Sequence, residues 1–420
     1  MAAMNAGQPD GRLARTVADP TALVLWQVRA ALMAAALASV AGVISALGFG
    51  TGGIAEAARD LWLLGTVGPV AWTAGLFVTY WSRRSALPQR LGVLLEGIAL
   101  VGGGLLLAVG HAFGMEFLAF SGWLAEAIAG ALGIFLLWPH AEGPRVASEH
   151  LEDLLAPGFR PGVEEIGTDR LARGMVMMAA VDLLLAALFA LRHEEHFLLP
   201  TFAGLLFWYG WVGSLAWASL HYFGPRFLGR HLTWMPLSVG GFIGWQGGIL
   251  GAFAFGEWWI LALSAVGGLA MLPAFLRLFV VTMRPRPRIV GSRRAFIHSS
   301  FRSLLVLSAT LALVAIIAIP WPGPVSDGTY RLVTAWAVAS LLALLGHMAF
   351  VHLGWHYAPQ SLVAGIDSWV VGLVFSLWTG GLAVLGAGLT LAGVVVTMVA
   401  FERHRPQRQM FTVLKGKTGT

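Results

Sequence analysis

The sequence predicts an all-α, polytopic membrane protein with about twelve transmembrane helices, and three observations support that class. Of its 420 residues, 57% are hydrophobic and 11% are charged, whereas soluble domains carry roughly 25% charged residues. The apolar segments are each close to the roughly 20 residues that cross a bilayer. Loops rich in arginine alternate with loops poor in basic residues, as expected for a chain that crosses a membrane repeatedly.

The predicted spans form three groups of four, which we call quartets, over residues 23–138, 173–281 and 302–401. The individual spans are placed at 23–48, 61–81, 90–110, 117–138, 173–191, 197–219, 233–254, 257–281, 302–320, 331–353, 361–379 and 380–401. Residues 1–22 and 402–420 are predicted tails, and residues 139–172 are a predicted loop. A single membrane domain therefore covers residues 23–401.

The charge distribution predicts the orientation of the chain. Arginines cluster in one set of loops, most densely at 284–302, and both tails are basic as well. Basic residues mark cytoplasmic loops, so we expect both termini in the cytoplasm and a bacterial or archaeal-type cytoplasmic membrane. The positive net charge therefore requires no nucleic acid. The absence of cysteine excludes disulfides, thiolate-bound zinc and iron–sulfur clusters.

A similar helix-exit signature recurs once in each quartet. The copies are Tyr80-WSRRSALPQR, His221-Tyr222-FGPRFLGR and His356-Tyr357-APQSL. Each copy is followed by another apolar helix that contains glycine. Three parallel copies of a four-helix unit predict a ring of three arcs with pseudo-threefold symmetry.

Four acidic residues fall inside predicted spans: Glu96, Glu126, Asp182 and Asp367. Counted from the proline of the exit signature, Glu96 and Asp367 occupy the same position, which suggests that the repeat relates them. A charge at mid-bilayer costs a few kcal/mol, so such acids usually face the protein interior or water. They are candidates for a proton or ion path; the alternative is a carboxyl that bonds a neighbouring helix.

The repeat and one further motif resemble a known family. The exits resemble a Tyr-Tyr-x-x-Pro-(Arg/Lys)-x-x-Gly-Arg pattern, and Phe207-Trp208-Tyr209-Gly210-Trp211 resembles a Trp-Trp-Tyr-Gly-His run that carries a copper ligand. Both belong to subunit I of the heme–copper oxidases, especially the C-family oxidases and nitric oxide reductases. The resemblance implies twelve helices in three arcs and a place in a respiratory chain.

The metal ligands of that family are missing at the matching positions. Residues 61–81 contain no histidine, and Ala337-Val338-Ala339 stands where the tenth helix would carry its histidine pair. The copper-ligand positions fall on Trp211, Trp245 and Gln246. Iron and copper need imidazole or comparable donors, so the resemblance implies a degenerate centre filled by tryptophan. We expect no cofactor and no enzymatic activity.

Relocated histidines offer an alternative. His347, His352 and His356 lie late on the tenth predicted helix, and His221 ends the sixth at a similar place in the repeat. Together these four could bind heme b or another metal; as helix-end residues they could equally cap carbonyl groups. His193 and His196 belong to a short polar loop.

The sequence therefore favours a non-catalytic structural or assembly subunit of a respiratory-type membrane complex. One alternative is a redox subunit that exchanges electrons with quinol or a cytochrome through relocated heme ligands. Another is an ion or solute transporter, although transporter repeats are often inverted. The expected partners are the lipid bilayer and other membrane subunits or a cytochrome-type protein, without nucleic acid.

Overall fold

The computed structural model describes residues 20–49, 52–82, 90–138, 163–193, 202–228, 234–282, 360–376 and 381–403, with a few helical positions between 307 and 340. These residues are almost entirely helical. The helices are α1 (Pro20–Ala46), α2 (Gly52–Asp60), π1 (Leu61–Val67), α3 (Gly68–Ser82), α4 (Arg90–Phe113), α5 (Glu116–Leu137), α6 (Val163–His193), α7 (Phe202–Leu205), π2 (Leu206–Val212), α8 (Gly213–Leu228), α9 (Met235–Phe255), a 3₁₀ turn (Trp258–Ile260), α10 (Leu261–Thr282), α11 (Gln360–Phe375) and α12 (Gly381–Arg403).

Six of the described helical stretches are long and apolar enough to cross a bilayer. They are Trp26–Ala46, Leu91–Phe113, Glu116–Leu137, Gly167–Arg192, Met235–Phe255 and Gly381–Arg403. The prediction of an all-α, membrane-embedded protein is therefore confirmed. Ten predicted spans fall on described helices, whereas the spans at 302–320 and 331–353 lie largely outside the described residues, so the count of twelve stays a prediction.

Two helices begin earlier than the apolar pattern predicts. α6 starts at Val163 instead of residue 173, and helix already begins at Gly52 where the sequence suggested a connection up to residue 59. Both extensions carry polar residues. Hydropathy marks the length of chain that lipid surrounds, whereas backbone hydrogen bonds continue a helix beyond the bilayer.

Three antiparallel hairpins share one design: α4 with α5, α9 with α10, and α11 with α12. In each, two glycines bring the backbones into contact, because a Cβ on either would lie 2.4–3.1 Å from the carbonyl oxygen of the other. The pairs are Gly103–Gly122, Gly241–Gly267 and Gly365–Gly393. Small residues at helix interfaces allow such close approach inside membranes.

A second contact follows two turns further along each hairpin. There a Cβ on the first helix would lie 2.4–2.6 Å from the backbone nitrogen of the second. The contacts are Gly110 on Ala119, Gly248 on Ser264 and Gly372 on Thr390. Seven residues complete about two helical turns and return to the same face. The shared register shows that the three hairpins are equivalent, as an internal threefold repeat predicts.

The first two quartets also share a π-helical segment. One offset along the chain superimposes π1 on π2 and aligns the sequences Gly65-TVGPVAW and Gly210-WVGSLAW, so that Trp72 corresponds to Trp217. π-Helical turns are rare and frequently occur at functional sites. The second predicted helix of the third quartet lies mostly outside the described residues.

Helices from the two ends of the chain pack against each other. α1 contacts α12, and Arg29 forms a bidentate ion pair with Glu402 through distances of 2.5 and 3.1 Å. The first quartet therefore touches both the second quartet, through α5 and α6, and the last helix of the third.

Candidate functional site

An aromatic core lies where the second quartet meets Trp336 of the third. Trp217 of α8, Trp245 of α9 and Trp336 are fully buried, and their ring centroids lie 5.3–6.2 Å apart in a triangle. Such distances are typical of favourable tilted and edge-to-face aromatic contacts.

The π2 segment adds four more aromatic residues to this core. Phe207, Trp208, Tyr209 and Trp211 are all fully buried. Consecutive aromatics point to several sides of a helix, so they can all be buried only where neighbours surround the helix completely. Trp211 reaches the first quartet, since a Cβ on Gly68 would lie 2.6 Å from its ring. Of the predicted degenerate copper positions, Trp211 and Trp245 therefore belong to a packed aromatic interior.

Asp182 lies beside this core in a polar cluster from three helices. Its Oδ2 accepts a hydrogen bond of 3.0 Å from Nε2 of Gln246 on α9, and the same Nε2 lies 2.5 Å from the hydroxyl oxygen of Ser214 on α8. The carboxyl rests on Gly210 of π2, where a Cβ would clash with it. Gln246, the third predicted copper position, is thus a hydrogen-bond partner of Asp182.

Glu96 is buried on α4 in the first quartet. Its carboxyl lies beside the indole of Trp72 on α3. No hydrogen bond of standard geometry joins them, and both Oε2 of Glu96 and Nε1 of Trp72 lack a partner among the described residues. The ring of Trp72 also covers Gly133 of α5. Glu96 therefore occupies a closed interface of three helices.

Glu126 is buried on α5 and faces the same interface. Its Oε1 packs against Gly103, at 2.7 Å from a Cβ built there, and neither oxygen has a hydrogen-bond partner among the described residues. Glu126 is close enough to Glu96 for their charges to interact. A buried polar group without a partner costs free energy, so its presence calls for an explanation.

The internal repeat shows which residues could replace these acids. Glu126 contacts Gly103 as Met271 contacts Gly241 and as Thr397 contacts Gly365. The hairpin design therefore accepts an apolar or hydroxyl side chain at the position of Glu126.

The same reasoning applies to Asp182. It packs on Gly210 of π2 as Ala34 packs on the equivalent Gly65 of π1. A methyl group can therefore fill this contact, and neither acid is required by the packing of its own unit.

Asp367 differs from the other three acids. It is only partly buried and has interactions of its own. It lies two residues after Gly365, whereas Glu96 lies seven residues before the equivalent Gly103. The hairpin contacts therefore do not place Glu96 and Asp367 at equivalent positions, because Pro88 lies 15 residues before Gly103 whereas Pro359 lies 6 residues before Gly365.

One of the four candidate heme ligands lies in the described part of the chain. His221 is fully buried, and its Nδ1 lies 2.8 Å from the carbonyl oxygen of Trp217, one turn earlier. His347, His352 and His356 lie outside the described residues. Among the residues that are described, no group of three or more His, Cys, Asp or Glu could hold a metal ion.

The sequence reasoning missed a pair at the far end of the first quartet. Nδ1 of His111 lies 2.5 Å from the carboxylate of Asp60, and both side chains are largely buried. Asp60 ends α2 and His111 lies in the last turn of α4. Nothing in the spacing along the chain connects two residues so far apart; only the apolar context of Asp60 could have drawn attention to it.

No family model matches this chain, and no curated protein is similar to it.

Proposed function

We propose that this chain is a metal-free relative of heme–copper oxidase subunit I that serves as a non-catalytic structural or assembly subunit of a respiratory-type membrane complex. The observation that carries the proposal is the triangle of Trp217, Trp245 and Trp336. The resemblance would put a metal centre in this region, and indoles occupy it instead.

The chemistry of these side chains supports the proposal. An indole offers one weak donor and no imidazole-like lone pair, so it cannot replace a histidine ligand to iron or copper. Three fully buried indoles in mutual contact also leave no room for a porphyrin among them. The equivalent glycine hairpins further suit a scaffold that keeps its shape without a cofactor.

A redox subunit is the second candidate, and His221 favours it. Metal-binding histidines commonly direct one ring nitrogen to a carbonyl or carboxylate, which orients the other nitrogen. His221 has this arrangement with the carbonyl of Trp217. His221 would be the residue that holds a heme in this case, and the heme would supply electron transfer.

The optical spectrum of the purified full-length protein separates the two candidates. We expect no visible band in the oxidised or dithionite-reduced protein, a negative pyridine hemochrome assay, no copper, and a stoichiometric membrane partner retained from native membranes. One heme per chain, lost in His221→Ala and retained in His111→Ala, would overturn the metal-free proposal and establish the redox one.

A further inference from the structure

The first quartet contains a file of buried ionisable residues that lies apart from the aromatic core. All of its members are on α4 or against it: Glu96, then Glu126 where it rests on Gly103, then the pair His111–Asp60. Glu96 lies six residues after the first residue of α4, and His111 lies two residues before the last. The file therefore follows most of the length of one transmembrane helix.

The spacing along α4 gives the size of the steps. Gly103 is seven residues after Glu96 and His111 is eight residues after Gly103. At about 1.5 Å per residue, these steps are roughly 10 and 12 Å, and together they cover most of a hydrocarbon core of about 30 Å. Steps of seven and eight residues also keep the three positions on one side of the helix.

The two glutamates are suited to exchanging protons. Both oxygens of Glu126 and one oxygen of Glu96 are buried without a hydrogen-bond partner among the described residues, and the unpartnered indole N–H of Trp72 lies next to Glu96. A permanent charge without a counter-charge would be expensive in this surrounding. A carboxyl that gains and loses a proton carries its charge only briefly.

Packing does not explain why an acid is present at the position of Glu126. Met271 and Thr397 make the contact of Glu126 in the other two hairpins. The first hairpin therefore bears the cost of an unpaired acid that its equivalents avoid. A function for the proton itself accounts for that difference.

We propose that the first quartet conducts protons along α4, between His111–Asp60 at one end and Glu96 at the other, with Glu126 as the central carrier. In each step a protonated group releases its proton to an ionised neighbour through a transient chain of water molecules, and no electron moves. The transmembrane proton gradient sets the direction. The species that these residues bind and release is therefore the proton.

The packing also sets the selectivity of the path. Leu100 and Leu107 of α4 are fully buried, and Gly122 is packed against Leu107. An interface of this density has no room for a hydrated sodium or potassium ion, whereas the proposed path requires only water molecules, which are smaller. We therefore expect slow, gated proton transfer instead of ion-channel conductance.

Proton uptake into proteoliposomes tests the proposal. The full chain is reconstituted into potassium-loaded vesicles, valinomycin sets an inside-negative potential, and a trapped pH dye reports proton entry. We expect uptake well above that of protein-free vesicles, and at least a tenfold loss of rate in Glu126→Gln. Glu126→Met should lose the same activity, because it installs the side chain that the second hairpin already accommodates.

Matched controls make the result interpretable. Glu116→Gln removes an exposed acid from the first turn of the same helix, so it should leave the rate unchanged. A melting temperature at or above that of the original protein shows that the Glu126 variants are folded. The proposal is overturned if the original protein is no faster than empty vesicles, if Glu126→Gln conducts normally, or if sodium uptake accompanies the protons.

This test is independent of the metal-free scaffold. A heme spectrum would overturn the proposal of a metal-free scaffold without changing the measured proton rates. A flux assay that shows no proton uptake would overturn the proposed proton path without bearing on the aromatic core.

Discussion

The first and second quartets have the same backbone design but different interiors. In both, the sequence Gly-x-Val-Gly-x-x-Ala-Trp begins within a π-helical segment and continues into the next α-helix. Both also contain a helical hairpin in which two glycines bring the backbones into contact. Four residues after the first hairpin glycine, the first quartet has Leu107 and the second has Trp245. The residue facing that glycine is Glu126 in the first quartet and Met271 in the second. The first interior contains two buried glutamates, and the second contains an aromatic core with the polar cluster of Asp182 beside it.

The comparison indicates which residues specify the fold. Glycines at the backbone contacts set the distance and register of the helices, and their contacts are the same in each hairpin. The side chains between those contacts then vary without changing the architecture. Asp182 follows the same rule. It occupies the position that Ala34 has in the first quartet, and its carboxyl accepts a hydrogen bond from Gln246. Glu126, in contrast, has no hydrogen-bond partner among the described residues.

We expect the largest effect from replacing the equivalent tryptophans Trp217 and Trp72. Trp217→Ala should lower the free energy of unfolding by about 3–5 kcal/mol, the usual cost of emptying a large aromatic site. Trp72→Ala should cost less, because the contacts of Trp72 include a glycine and a carboxyl, whereas Trp217 packs against two other indoles. Thermal unfolding of both variants in detergent measures the difference.

Trp138→Ala is a suitable control, since its side chain is half exposed and should cost far less. Equal losses for Trp217 and Trp72 would mean that the two interiors are energetically alike, whatever their composition.

Replacing the hairpin glycines should give a second, smaller difference in stability between the two quartets. Gly267→Ala should lower stability by about 3 kcal/mol, the upper part of the usual range for overpacking, because its Cβ would lie 2.3 Å from the backbone nitrogen of Trp245. Gly122→Ala should cost less, because its nearest atom, at 2.5 Å, belongs to the side chain of Leu107, which can move. Melting temperatures of the two variants test this order.

Gly240→Ala is the matched control, since nothing lies within 4 Å of a Cβ there. The reverse order, with Gly122→Ala the more damaging, would contradict the idea that the first interior is the more adaptable one.

The sequence predicted the class of fold and the positions of ten helices, because lipid imposes apolar length on every span. It could not predict the π segments, since Leu61–Val67 has no unusual composition and π geometry arises from packing. The burial of Glu96, Glu126 and Asp182 was expected from their apolar context. The neighbours of Glu96 and Asp182 were not, because Trp72 and Gln246 come from other helices.

The register of the repeat was the clearest error, and it has a physical cause. The distance from the exit proline to the hairpin glycine differs between the quartets, whereas the backbone contacts between the hairpin helices keep one register. Gly103, Gly241 and Gly365 form the equivalent positions. A search for the spacing Gly-x₆-Gly, which all three first hairpin helices contain, could have found this register from the sequence.

The smallest expected effect concerns the contacts of the first quartet with its two neighbours. Arg29 and Glu402 join α1 to α12, but both side chains are about 40% exposed. An exposed ion pair contributes only about 0.2–1 kcal/mol and weakens with salt. Arg29→Gln should therefore change the melting temperature slightly at low salt and not at all at high salt. Gly130→Ala, at the contact with α6, should cost more at every salt concentration, because its Cβ would lie 2.8 Å from the backbone nitrogen of Leu184. A larger loss for Arg29→Gln would mean that the ends of the chain, and not the packed contact with the second quartet, hold the first quartet in place.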